Sequence, residues 1–245
     1  AAKSHRASIE ACLKSNFGLL RFFRTGSFGN GTSISGFSDI DYFASLTREY
    51  MKENSEYTLR DVRNALDTRF PNTGVQVNCP AVQVPFGTKK SEMNEIVPAD
   101  FVSKSGEYHI YDIPNCRGGW MKSSPEAHHA YINRVNAKLS YKLKPLIRFI
   151  KAWKYVRDVP IYSFYLELRV TKYAEGESSI VYDIDIQRIL DKLYNDSLAK
   201  MQDPLGISGY IYPCASDTKL EDAKSKLLTA SVRADKARAE TVKGN

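Results

Sequence analysis

Cysteine is scarce in this chain and follows no pattern. Cys12, Cys79, Cys116 and Cys214 are the only four in 245 residues. No Cys-x-x-Cys pairing joins them, so neither a zinc site nor a disulfide framework is suggested, and the thiols are expected to be reduced and buried. No apolar run approaches the ~18–20 residues needed to cross a bilayer. The opening Ala-Ala-Lys-Ser-His-Arg has no following apolar stretch of the kind a signal peptide carries, which makes a cytoplasmic location the expectation. Internal repeats and low-complexity segments are also lacking. So are a Walker A loop, which needs Gly-Lys-Ser/Thr entering a helix, and a dinucleotide-binding Gly-x-Gly-x-x-Gly. His128 and His129 are sequence neighbours, so on a helix their rings stand about 100° apart and suggest no metal pair.

What the chain does contain is sharper. In Arg24-Thr-Gly-Ser-Phe-Gly-Asn-Gly-Thr-Ser-Ile-Ser-Gly-Phe-Ser-Asp-Ile-Asp41 a glycine-serine turn leads toward two carboxylates separated by one residue. Alternate side chains share a face of a strand, so Asp39 and Asp41 are expected to point the same way. Hard oxygen donors arranged like this suit Mg²⁺. Gly26 lets the backbone approach a phosphate, Ser27 offers a hydroxyl, and successive N–H groups form an anion-binding concavity. The combination reads as a site for a metal-bound nucleoside triphosphate, with Ser38 beside the carboxylates as a further ligand candidate.

A site with two metal ions needs a third carboxylate from a neighbouring strand. Glu95 is the candidate, because it follows Val75-Gln-Val-Asn and Val82-Gln-Val-Pro, which alternate as adjacent strands do. Glu92, Asp100 and Asp112 are the fallback choices.

Along the chain, Ile9, Leu13 and Phe17 recur at helical spacing and predict a first helix near residues 4–16. A strand over Leu20–Arg24 follows. A capping-box-like Thr58-Leu-Arg-Asp61 predicts the start of a second helix carrying Leu59, Val62, Leu66 and Phe70. Short strands then run to Tyr108-His-Ile-Tyr-Asp-Ile. From Ser124, a plausible N-cap, with Pro125 at the first helical position, the pattern becomes helical. Pro145 implies a kink or a helix beginning there. The expected fold is α+β, with a mixed-sheet core lobe (1–118) and a helical lobe (119–245) forming a cleft. The first helix is expected to pack across the lobes, and a polar tail helix is expected to end in a frayed Val-Lys-Gly-Asn.

The chain carries 35 basic and 28 acidic residues, a balance that suits a polyanionic ligand or nucleic acid. Lys144, Arg148 and Lys151 fall at spacings of four and three, which predicts one cationic stripe opposite Leu146, Ile150 and Trp153.

The Gly-Ser turn followed by Asp-x-Asp resembles the DNA-polymerase-β-like nucleotidyltransferase superfamily. A carboxylate directly before Ile96-Val-Pro-Ala99 narrows the resemblance to the bacterial cGAS/DncV-like nucleotidyltransferases, the CD-NTases, although Glu95 stands where those enzymes commonly have Asp. Leu146-Ile-Arg-Phe-Ile-Lys-Ala-Trp153 is similar to the Lys-x-Trp helix of their second lobe. The resemblance implies that Asp39, Asp41 and Glu95 hold two Mg²⁺ ions, with Mn²⁺ able to substitute. It further implies that Gly26, Ser27, Lys151 and Ser163 bind the triphosphate, and that Tyr165 or Phe164 lines the nucleotide pocket.

The implied activity is synthesis of a cyclic di- or trinucleotide from ribonucleoside triphosphates, ATP among them. In that family the product signals phage infection to a separate effector without direct contact. No membrane partner is implied, and a nucleic-acid or protein activator stays open. Two alternatives stand beside this one. The first is a terminal nucleotidyltransferase acting on RNA or tRNA, which the cationic stripe would also serve. The second is an inactive nucleotide-binding homologue.

Overall fold

The computed structural model describes residues 2–243, so Gly244 and Asn245 of the expected frayed end lie outside the described residues. The chain forms two compact units. One comprises the chain up to Gly31 together with Ser38–His129, the other Thr32–Phe37 together with the chain from Ala130 on.

The first unit is built on a mixed sheet. β1 (Arg21–Arg24), β2 (Ile40–Ser45), β5 (Glu92–Ser105), β4 (Ala81–Phe86) and β3 (Gln76–Asn78) lie side by side in that order. β2 and β5 run parallel while the other pairs along this path are antiparallel. The far half of β5 pairs with β6 (Tyr108–Pro114), which pairs in turn with β7 (Trp120–Ser123). Helices α1 (Ala2–Phe17) and α3 (Ser55–Arg69) bring Ile9, Leu13, Leu59, Val62 and Leu66 into one core with Tyr42, Ala44, Val82, Val84 and Ile96. These strand residues alternate with Asp41, Gln83 and Glu95, so helices cover one face of the sheet, and these polar groups lie on the other, which also carries the small buried cluster of Phe43, Ala99 and Tyr111.

α3 begins earlier than Thr58. The Asn54 side chain accepts the Glu56 N–H at 2.9 Å and caps the helix at Ser55. β7 extends the sheet past the expected boundary at residue 118. The chain changes units between His129 and Ala130, inside α4 (Pro125–Lys138), whose start is capped as read: the Ser124 hydroxyl accepts the Ala127 N–H at 3.4 Å. Contrary to the expectation of four reduced cysteines, Cys79 and Cys116 form a disulfide, while Cys12 and Cys214 are free. The two half-cystines are 37 residues apart and meet only because the β3–β4 turn folds against the loop after β6.

The second unit is helical. α5 (Leu143–Val156), α6 (Ser163–Glu175), α7 (Tyr182–Asn195) and α8 (Asp217–Lys243) are joined by a small ribbon of β8 (Met201–Gln202) and β9 (Tyr210–Ile211). Leu143, Leu146, Ile147 and Ile150 of α5 pack with Leu166, Leu168 and Val170 of α6. Pro145 sits in the first turn of α5, where its missing N–H costs nothing. Among the described residues no helix is long and apolar enough to cross a membrane.

Candidate active site

Asp41 and Glu95 are direct neighbours across the parallel β2–β5 pair. The register continues from Glu95 to Gln83 on β4 and from Gln83 to Gln76 on β3, making a polar row across the sheet face opposite the helices. Gln83 Nε2 donates to Glu95 Oε1 at 2.8 Å, and Asn78 Nδ2 donates to the same oxygen at 3.3 Å. Gln76 Nε2 in turn donates to Gln83 Oε1 at 2.7 Å. Asp39 lies just before β2. Loss of solvent around its carboxyl, and then the like charge of Glu95, hold its pKa above the ordinary value, although the residue as a whole is exposed.

The fallback acids are engaged elsewhere. Glu92 points to the helix-covered side, where His5 Nδ1 lies 3.1 Å from its carboxylate. Asp100 pairs with Arg48, and Asp112 with Lys122 at 2.8 Å.

The turn is fitted to Asp41. The Thr25 N–H donates to Asp41 O at 2.9 Å, and Gly26 adopts φ +54°. A Cβ on Gly26 would come within 1.8 Å of Asp41 Oδ2, so only glycine is compatible with the carboxylate where it stands. The glycines do not lead straight into a strand. Gly26–Asn30 forms a single short helical turn, α2, before the chain reaches β2. Ser27 in that turn and Ser38 beside Asp39 are both half-buried.

Among the described residues no three His, Cys, Asp or Glu side chains form a ready metal-binding group, and Glu95 Oε1 is already held by two amides. The donor chemistry nevertheless fits a hard divalent cation. Asp41 and Glu95 are adjacent oxygen donors, and a bound cation would offset both the loss of solvent and the like charge of Glu95 that raise the Asp39 pKa.

In the second unit two of the expected ligands, Lys151 and Tyr165, are buried. Lys151 is fully buried, with Nζ donating to Glu167 Oε1 at 2.6 Å, so its charge is paired inside the helical core. The cationic stripe therefore breaks at Lys151, leaving Lys144 half-buried and Arg148 exposed. Tyr165 is also fully buried, its hydroxyl donating to Ala199 O at 2.7 Å. Phe164 is the exposed aromatic of that pair. Ser163 is half-buried at the start of α6 and accepts Lys154 Nζ at 2.9 Å. Burial, and then the neighbouring charge of Lys151, lower the Lys154 pKa, so that ammonium would gain from an anion.

Asn78, Gln83, Lys154 and Glu167 were not singled out from sequence. Gln83 had a signal, since it alternates with Val82 and Val84 in a strand next to Glu95. Glu167 had none, because a lone acid in an apolar helix does not reveal its partner.

A family model described as Second Messenger Oligonucleotide or Dinucleotide Synthetase domain, SMODS, matches residues 1–136, more than half of the chain. No curated protein matches it. Among solved structures the chain is similar to E. coli CdnC with ATP, at 17% identity and a TM-score of 0.74 over 96% of this chain and 83% of that one. It is also similar to the Elizabethkingia meningoseptica CdnE cyclic dinucleotide synthase with GTP and Apcpp, at 18% identity and a TM-score of 0.70 over 92% and 89%. The Vibrio cholerae DncV cyclic AMP-GMP synthase, in complex with a linear intermediate, matches at 14% identity and a TM-score of 0.68 over 90% and 65%. At such identities these likenesses bear on the fold, whereas the domain match bears on the family. The chain thus belongs to the SMODS family of cGAS/DncV-like nucleotidyltransferases, the CD-NTases, and is a nucleotidyltransferase.

Proposed function

We propose that this chain joins ribonucleoside triphosphates, ATP among them, into a cyclic di- or trinucleotide in a Mg²⁺-dependent reaction, and that the product is an anti-phage second messenger reaching its effector by diffusion. The observation that carries this reading is the register of Asp41 with Glu95, beside a Gly26 whose added Cβ would collide with the Asp41 carboxylate. Three relatives named for, or solved with, nucleotide substrates of this class add support.

Asp39, Asp41 and Glu95 are the residues that would hold Mg²⁺, which when bound supplies charge neutralisation and lowers the pKa of an attacking hydroxyl. The protein's own contribution is placement. Gln83 and Asn78 restrain Glu95, so less side-chain freedom is lost when a ligand arrives. The backbone N–H groups after Thr25, with the Ser27 and Ser38 hydroxyls, are hydrogen-bond donors for phosphate oxygens. On the second unit, Lys154 and Ser163 form a cation–hydroxyl pair of the kind that binds phosphate. The raised pKa of Asp39 means that a proton competes with the cation, so activity should fall as the pH is lowered through that value.

The test is incubation with all four ribonucleoside triphosphates and Mg²⁺ or Mn²⁺, phosphatase treatment, and mass spectrometry. A phosphatase-resistant cyclic product is expected. Elongation of added RNA with no cyclic product would instead favour the terminal-transferase alternative.

A further inference from the structure

Thr32–Phe37 lies between the Gly-Ser turn and Asp39 in sequence, yet it belongs to the second, helical unit. Two contacts fasten it there. At one end Thr32 is fully buried, and its hydroxyl donates to Glu167 Oε1 on α6 at 2.6 Å, the oxygen that also takes Lys151 Nζ at 2.6 Å. At the other end Phe37 stacks on Tyr155 of α5, with ring centroids 5.1 Å apart and planes 17° from parallel. Between them the Phe37 N–H donates to Ile34 O at 3.1 Å, with Gly36 at φ +80° in the turn.

A buried ion pair holding two helices together is an expensive choice, since apolar residues of similar volume would often serve stability as well or better. The Lys151–Glu167 pair gains a purpose when its third partner is counted. A carboxylate held in place by a buried ammonium is a strong, fixed acceptor, and the Thr32 hydroxyl uses it.

We infer that the Lys151–Glu167 pair is a mooring for the segment 32–37, and that Thr32 is a positioning residue which sets where the chain enters Ser38–Asp41. The inference rests on the proposed assignment of Asp39 and Asp41 to the reaction. It differs from that assignment in giving Lys151 no contact with substrate. Its effect on turnover runs through the seven residues from Thr32 to Ser38 that precede Asp39.

The test compares Thr32→Val, which keeps the shape and removes the hydroxyl, with Thr32→Ser, which keeps the hydroxyl. Amide hydrogen exchange over residues 33–40 should quicken by about tenfold in Thr32→Val and stay near wild type in Thr32→Ser, as expected for loss of one hydrogen bond to a charged acceptor. kcat for product synthesis should fall by about tenfold in Thr32→Val alone, with KM for ATP within about twofold of wild type. If Thr32→Val folds poorly, Lys151→Met combined with Glu167→Leu, which removes the acceptor and leaves the core apolar, takes its place, with faster exchange over 33–40 expected. Unchanged exchange over 33–40 in Thr32→Val, or in the Lys151→Met, Glu167→Leu double variant when that is needed, would overturn the mooring. So would equal losses in the valine and serine variants. Wild-type protein that makes no nucleotide product, while the exchange pattern holds, would count against the assignment of the carboxylates and leave the mooring standing.

Discussion

Replacing Gly26 by alanine separates site geometry from stability. The backbone there has φ +54°, and the new Cβ would lie 1.8 Å from Asp41 Oδ2 and 2.5 Å from Cγ. Real Cβ contacts essentially never fall under 3.0 Å, so the carboxylate oxygen must retreat by at least about 1.2 Å, the difference of 3.0 and 1.8. A displacement near 1 Å in a positioned catalytic group costs on the order of 10²-fold in rate. The left-handed backbone adds roughly 1–2 kcal/mol of destabilisation, which in a chain of this size lowers Tm by about 2–8 °C. Gly106→Ala is the matched control. Its φ is +60° with nothing within 4 Å of the added Cβ, so it carries the backbone strain without the collision. Pyrophosphate release at saturating nucleotide should drop about 100-fold in Gly26→Ala and stay near wild type in Gly106→Ala, with similar Tm losses in both. Equal activity in the two variants would refute the claim that Gly26 sets the position of Asp41.

Lys151→Met should cost about 3–5 kcal/mol in urea denaturation, because it leaves Glu167 buried without its counter-charge, while Lys151→Met with Glu167→Leu should recover much of that loss. A higher KM at unchanged stability would instead return Lys151 to the substrate. Thiol labelling of unfolded, unreduced protein should modify two cysteines, Cys12 and Cys214, and reduction should lower stability by about 2–4 kcal/mol for a bridge closing this loop; four reactive thiols before reduction would exclude the disulfide. Asp39 has a raised pKa, so the folded metal-free protein holds that proton more tightly than the unfolded chain and gains stability as the pH falls. Asp39→Asn should flatten this dependence, melting above wild type at neutral pH and converging with it once both forms are uncharged at low pH; a lower Tm at neutral pH would reverse the assigned sign.

The carboxylate face was legible because it depends on local rules. Period-two alternation puts Asp41 and Glu95 outward while Tyr42, Ala44 and Ile96 point inward, and a Gly-Ser turn beside an Asp-x-Asp strand narrows the chemistry. The burial of Lys151 was not legible because helical spacing reports a face and not what covers it. Its partner Glu167 lies on the next helix, and the buried pair leaves no trace in the period of either segment. The Cys79–Cys116 bridge and the pairing of β7 with β6 are tertiary events without a local pattern, so neither the bridge nor the extension of the sheet past residue 118 was legible. The excursion of Thr32–Phe37 was hidden for the same reason, since a Gly/Ser-rich segment reads as a loop whichever unit it is fastened to.

The most direct measurement is the rate of formation of phosphatase-resistant nucleotide by Asp39→Ala combined with Asp41→Ala, run beside wild type with all four ribonucleoside triphosphates and Mg²⁺. Wild type should make product. The double variant should make none above background while keeping its circular dichroism spectrum, and its metal-free Tm should hold or rise as the repulsion on the sheet face is removed. Synthesis retained by a folded double variant would contradict the assignment of nucleotidyl transfer to this sheet face.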